Sequence, residues 1–245
     1  MLIDELPQQL IIWIRDNVSN TGCKGVVLGM SGGIDSSVVA VLCKYAFPDN
    51  MLGVIMPCYS NDTDREHARN VADKFTIPVK TVNLDEVYNT LTSAMSSGNT
   101  DAERTRLAES NVKPRLRMAT LYYYANLFNY AVVGATNKSE LEIGYFTKHG
   151  DGGVDLMPIA MLVKTQVRQL AVYLGIPPEI INKAPSAGLW DGQTDEKEMG
   201  LTYEELDRYI LTGKGSASVK ARIDMLSDRN RHKKSLPIIP HFTIE

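Results

Sequence analysis

Apolar and polar positions fall into blocks along the chain, and the period changes from block to block. Ile3, Leu6, Leu10, Ile14 and Val18 recur at helical spacing, which predicts an amphipathic helix over Leu2–Val18. Gly25-Val-Val-Leu-Gly-Met30 is an apolar run of strand length, and a helix carrying Val38, Val39, Val41 and Leu42 follows it. Leu52–Met56 repeats the strand signal and stops at Pro57. Asp62 can cap a helix reaching Phe75 that buries Ala68, Val71 and Ala72. Pro78–Val82 reads as a third strand, Leu84–Met95 as a helix and Tyr130–Gly134 as a fourth strand. Apolar strands alternating with helices predict right-handed crossovers. The expected fold class is therefore α/β, a parallel sheet flanked by helices on both faces.

Three stretches interrupt that rhythm. Ser96–Ser110 is polar and reads as a loop between two helices. Gly144–Gly153 holds four glycines, and Pro185–Gly200 is rich in Gly, Asp and Glu. Long loops in compact domains are mostly functional, so the substrate surface is expected among them. Thr202-Tyr-Glu-Glu205 has the spacing of a capping box and opens a helix to about Leu211. A second helix over Ser216–Asp228 completes a C-terminal helical extension, ended by Pro237 and Pro240. Met118–Asn137 is twenty residues without a charge, but Asn126, Asn129 and three consecutive tyrosines break it. It reads as a helix running into a buried strand, not as a membrane span.

Composition narrows the picture. The 245 residues suit a single domain, 1–245, with no shift marking a second. A net charge of −3 gives no global field for nucleic acid or anionic membrane. Cys23, Cys43 and Cys58 lack metal-ligand spacing, and with an N-terminus bearing acids they fit a reducing cytoplasm.

The octet Gly29-Met-Ser-Gly-Gly-Ile-Asp-Ser36 lies between the first strand and its helix, where open parallel sheets bind ligands. Gly32 and Gly33 let the backbone approach an anion, and the following helix N-terminus adds N–H groups. Ser31 and Ser36 supply hydroxyls. The pattern is neither Walker A nor Gly-x-Gly-x-x-Gly. Asp35 would repel a polyphosphate in that loop unless a cation sits between them. Magnesium answers this, since it uses one or two carboxylates plus substrate phosphates. Glu140, after the fourth strand, is the candidate second carboxylate; taken alone it would be a solvated helix residue.

This octet resembles the PP-loop of the ATP pyrophosphatase superfamily. Asn137-Lys-Ser-Glu140, Gly144–Gly153, Gln193-Thr-Asp-Glu196 and Asn111–Met118 make the chain similar to the NAD synthetases from about Gly25 to Leu236. The resemblance implies a Rossmann-like, adenine nucleotide alpha hydrolase-like fold. It implies adenylation of deamido-NAD by ATP, then attack by ammonia to give NAD, AMP and pyrophosphate. It implies ATP contacts at Gly29, Met30, Ser31, Gly32, Gly33, Ile34, Asp35, Ser36, Lys164 and Ser186. Arg115, Lys148, Asp155, His232 and Lys233 would contact deamido-NAD, and Asp35 with Glu140 would hold Mg2+. Asp35, Asp151 and Lys164 are the catalytic candidates, Asp151 for docking and deprotonating ammonium. A homodimer is implied too. No room remains for a glutaminase domain, so ammonia is expected free or from a separate glutaminase partner. Ala135 and Gly188 stand where the family commonly has threonine and aspartate.

Two other readings remain on sequence grounds. One is a different PP-loop adenylating enzyme, GMP-synthetase-like or tRNA-modifying. The other is a non-catalytic nucleotide-binding module, which would not need paired Asp35 and Glu140. Lys214–Lys234 carries seven Lys or Arg against two acids, but without aromatic interleaving for base stacking. Asp191–Asp207 carries seven acids against one lysine. No nucleic acid or membrane partner is expected.

Overall fold

Leu6, Leu10, Ile11, Ile14 and Val18 are buried along one stripe of α1 (Leu6–Asn20), as their spacing predicts. The computed structural model describes residues 4–95, 101–186, 188, 190 and 192–242, so the first residues of the expected helix lie outside it. The chain continues through β1 (Gly25–Gly29), α2 (Ile34–Ala46), β2 (Met51–Ile55), α3 (Asp62–Lys74), β3 (Val79–Thr81) and α4 (Asp85–Met95). Then come α5 (Ala102–Ser110), α6 (Val112–Phe128) and β4 (Tyr130–Val132). All strand pairs are parallel, in the order β3-β2-β1-β4. The direction of winding reverses between β1 and β4, which opens a crevice at their carboxyl ends.

Alternation along the strands serves two cores. Val26 and Leu28 of β1 face a cluster built with α1, α2 and α3, together with α8 (Lys164–Tyr173) and α9 (Pro178–Ile181). Val27, Val54 and Val132 face the other way, against Leu84, Leu121, Tyr124 and Ala125. Helices thus cover both faces. A third cluster joins Ile143 to Met199, Tyr203, Leu206, Ile223 and Leu226. It seats the C-terminal extension, α10 (Asp195–Met199), α11 (Tyr203–Thr212) and α12 (Ala217–Asn230), against α7 (Lys138–Ile143). Its capping box is present: Thr202 accepts from Glu205 N and Glu205 from Thr202 N.

The structure differs from the sequence reading in three places. Asn61 rather than Asp62 caps α3, accepting from Thr63 N at 3.0 Å. Asp62 falls one residue inside, where its charge favours the helix N-terminus. Residues 102–110, read as loop, form α5, capped by Asp101 accepting from Glu103 N at 2.9 Å. Its sparse apolar content hid it, with Leu107 the one large aliphatic in the helix. The loop expected over Pro185–Gly200 ends in the short helix α10. Among the described residues, no helix is long and apolar enough to cross a membrane.

Candidate active site

A cavity of about 790 Å³ opens at the carboxyl ends of β1 and β4. Its floor is the loop from Gly29 to Ser36. Met30 N donates to Val54 O at 2.9 Å, anchoring the loop to β2. Ser36 Oγ accepts from Ser31 N at 3.3 Å and donates to Gly33 O at 3.0 Å, while Gly33 N donates to Ser31 Oγ at 3.2 Å. Gly33 is the N-cap of α2, with no side chain capping it, so the first N–H groups of this helix remain available to an anion. Gly32 has φ +77°, and a Cβ there would lie 2.1 Å from Asp64 O of α3. Only glycine fits that approach. Gly32 therefore shapes the loop from behind, while Gly29, Met30, Ser31, Gly33, Ile34, Asp35 and Ser36 line the cavity.

Residues far apart in sequence meet above the loop. Lys164, the first residue of α8, has a side chain only 3% exposed. Its Nζ forms an ion pair with Asp35 Oδ2 and lies 3.5 Å from Glu140 Oε1. Asn137 organises both acids. Its Nδ2 donates to Asp35 Oδ1 at 3.0 Å, and its backbone N donates to Glu140 Oε2 at 3.2 Å. Tyr203 lies beneath, with Lys164 Nζ 5.0 Å from its ring centroid and its hydroxyl donating to Asp195 Oδ2 at 3.0 Å.

Charge in this cluster is out of balance. Burial alone would lower the Lys164 pKa, but Asp35 and Glu140 outweigh it and hold it above the ordinary lysine value. Burial pushes Glu140 up to about 8; Lys164 opposes this and Asp35 adds to it. Asp195 is also raised by burial, against Lys164 and the hydroxyls of Tyr203 and Tyr145. Three acidic side chains thus surround one ammonium, and burial holds Glu140 and Asp195 toward their protonated forms.

The other expected residues occupy the rim and far wall. Arg115 Nε donates to Lys148 O at 3.3 Å, and Lys148 Nζ donates to His232 O at 2.8 Å. Lys233 Nζ donates to Gly144 O and Phe146 O, both at 2.9 Å. These four residues, with Asp151 and Ser186, line the cavity. Asp151 accepts from Thr147 N at 2.8 Å. Asp155 stands apart: it accepts from Val132 N at 2.7 Å and from Tyr122 OH at 2.9 Å, outside the cavity wall. Ala135, Thr136 and Gly188 all reach the cavity.

Sequence reasoning missed several wall residues. Arg117 is half-buried on the cavity wall; burial lowers its pKa, and Cys58, Asp151 and Asp64 partly offset that. It donates to Met56 O and Ser60 Oγ, each at 3.2 Å. Lys183, after α9, reaches across to an ion pair with Asp64 on α3. Asp195 and Tyr203 entered only as members of motifs. The spacing Asn137-x-x-Glu140, a capping-box pattern, was the one local signal available for Asn137.

Comparison with known proteins agrees with this geometry. Residues 6–237 match NAD synthase as a family. The NH(3)-dependent NAD(+) synthetase of Carboxydothermus hydrogenoformans is 51% identical over 237 residues, 97% of each chain. The structure resembles an NMN synthetase from Francisella tularensis with TM-score 0.93 and 37% identity, covering 99% of this chain and 100% of that one. It resembles an NH3-dependent NAD synthetase from Campylobacter jejuni with TM-score 0.80 and 30% identity, covering 98% and 100%. With the family match spanning residues 6–237 and a relative 51% identical over 97% of each chain, this chain belongs to the NAD synthase family.

Proposed function

We propose that this chain makes NAD by ATP-dependent amidation of deamido-NAD with ammonia, acting as a carbon–nitrogen ligase. The convergence of Asp35, Glu140 and Lys164 above an uncapped helix N-terminus carries the reading. The first N–H groups of α2, uncapped by a side chain, can bind phosphates, and a lysine between two carboxylates can follow charge as it moves during transfer.

In this reading ATP lies on the loop from Gly29 to Ser36, with Lys164 and Ser186 along its phosphates. A carboxylate oxygen of the nicotinate attacks the α-phosphorus. The bond from that phosphorus to the bridging oxygen breaks, and pyrophosphate leaves. Ammonia then attacks the acyl carbon, the bond to AMP breaks, and a proton is lost from nitrogen. Asp151, which also lines the cavity, is the proposed acceptor of that proton. Arg115, Lys148, His232 and Lys233 hold the anionic substrate, so chemistry depends on positioning and charge compensation. No protein nucleophile is required.

Asp35 and Glu140 are the proposed magnesium ligands. Their oxygen-only donor set suits a hard divalent cation. When bound, magnesium would neutralise polyphosphate charge and orient the leaving group.

A homodimer is supported by an exposed apolar face on α4 and α6, where Val87, Leu91, Tyr123, Leu127 and Phe128 point to solvent. The three free cysteines fit a cytoplasmic location.

The test is release of AMP and pyrophosphate from ATP with deamido-NAD and ammonium. AMP formation with another carboxylate or with RNA, and none with deamido-NAD, overturns the proposal. The TM-score of 0.93 to an NMN synthetase favours one competing substrate, nicotinate mononucleotide. A higher kcat/KM for the mononucleotide than for deamido-NAD would transfer the assignment to it.

A further inference from the structure

The N-cap of helix α8 is Val163, a residue with no side-chain acceptor for the exposed N–H groups of the first turn. The caps come from elsewhere. Lys164 N donates to Ser139 Oγ at 3.1 Å, and Thr165 N donates to Asp207 Oδ2 at 2.7 Å. Ser139 Oγ in turn donates to Asp207 Oδ1 at 2.5 Å. Ser139 is wholly buried and Asp207 is 2% exposed, and Asp207 forms no ion pair among the described residues. A buried carboxylate without a cationic partner is costly unless hydrogen bonds and a favourable dipole compensate it. Here the N-terminus of a ten-residue helix supplies both.

The placement of these bonds matters more than their number. Ser139 belongs to α7, one residue before Glu140, and Thr165 follows Lys164. Asp207 therefore ties together the starts of the two helices that present Glu140 and Lys164, and it does so from α11. The same extension, through α12, carries His232 and Lys233 to the cavity rim. The geometry points to Asp207 as a positioning residue for Lys164: its carboxylate fixes the first turn of α8 so that the ammonium meets Asp35 and Glu140. This rests on the reading of Lys164 as an ATP-side residue.

Asp207→Asn keeps the volume and one acceptor for Thr165 N, but it cannot also accept from Ser139 Oγ. Ser139→Ala removes the other half of the cap. A buried partner that orients a functional group usually matters by about ten- to a hundredfold. Each variant should lower kcat and ATP affinity by about tenfold or more, with KM for the nicotinate substrate changed less than about threefold, under conditions where thermal melting shows it folded. The deciding measurement is a double-mutant cycle with Lys164→Gln, read on ATP dissociation constants by calorimetry as well as on turnover. If Asp207 acts through Lys164, Asp207→Asn costs less than about twofold in the Lys164→Gln background. An equal loss in both backgrounds, a loss that follows only the unfolded fraction, or wild-type behaviour of Asp207→Asn would each overturn the inference. Wild-type protein that binds ATP but does not turn over deamido-NAD would count against the proposed function alone, since the ATP-binding cycle still decides Asp207.

Discussion

Asn137 and Asp35 meet across 102 residues of sequence, the amide Nδ2 donating to the carboxylate Oδ1 at 3.0 Å. The same asparagine caps α7, with Oδ1 accepting from Glu140 N at 3.0 Å and its backbone N donating to Glu140 Oε2. One side chain therefore sets the spacing of the two acids on which the proposed chemistry depends.

Asn137→Ala should lose the cap and the bond to Asp35 together, while the backbone N–H of residue 137 keeps its bond to Glu140 Oε2. Loss of the cap costs about 1 kcal/mol, and release of Asp35 beside the lysine should lower kcat by about ten- to a hundredfold. Chemical denaturation and steady-state kinetics measure the two effects separately. A full loss of cap stability with unchanged kcat would mean that Asn137 only starts the helix.

Lys164→Gln leaves buried carboxylates without their ammonium. Removing one member of a buried pair typically costs about 3–5 kcal/mol. The lower end is expected here, because burial already holds Glu140 largely protonated at neutral pH and Asp35 is the main charge left without its partner. Magnesium should restore part of that loss and raise the melting temperature of Lys164→Gln more than that of the wild type. Equal shifts in both proteins would place the cation elsewhere.

Gly32→Ala adds a Cβ where φ is +77° and the carbonyl oxygen of Asp64 stands 2.1 Å away. Backbone strain and overlap act together, so α3 or the loop must move, at a cost of about 3 kcal/mol or more. ATP turnover should fall below a hundredth of wild type. Calorimetric ATP binding at wild-type strength would contradict this account of the loop.

Lys183 and Asp64 pair across the cavity mouth with side chains 33% and 23% exposed. Such a pair contributes about 1 kcal/mol or less to stability. Lys183→Ala should leave the melting temperature nearly unchanged while raising KM for ATP several-fold, because a cation facing the phosphates is lost. An unchanged KM would restrict Lys183 to holding α3.

Leu127→Glu places a charge on an exposed apolar position of α6, 58% accessible in the single chain. If this face joins two copies, sedimentation should show the variant as a monomer while the wild type is a dimer. A monomeric wild type that is fully active would remove the dimer from the mechanism.

Much of this protein was legible along the chain. The block pattern determined the α/β class, because a buried parallel strand must be apolar throughout and its crossover helix must be amphipathic. Gly29–Ser36 pointed to the strand-to-helix loop that lines the cavity, because two glycines at a strand's carboxyl end mark a close turn. Thr202 and Glu205 announced their helix, because a capping box is closed within four residues. The residues that tertiary structure alone decided have partners distant in sequence. Asn137 reaches Asp35, Arg117 reaches Met56 and Ser60, Lys183 crosses to Asp64, and Asp207 caps a helix to which it does not belong. Periodicity records which face of an element is buried. Which polar groups that burial forces together depends on how the sheet and the C-terminal helices are brought against each other, and only the folded chain contains that information.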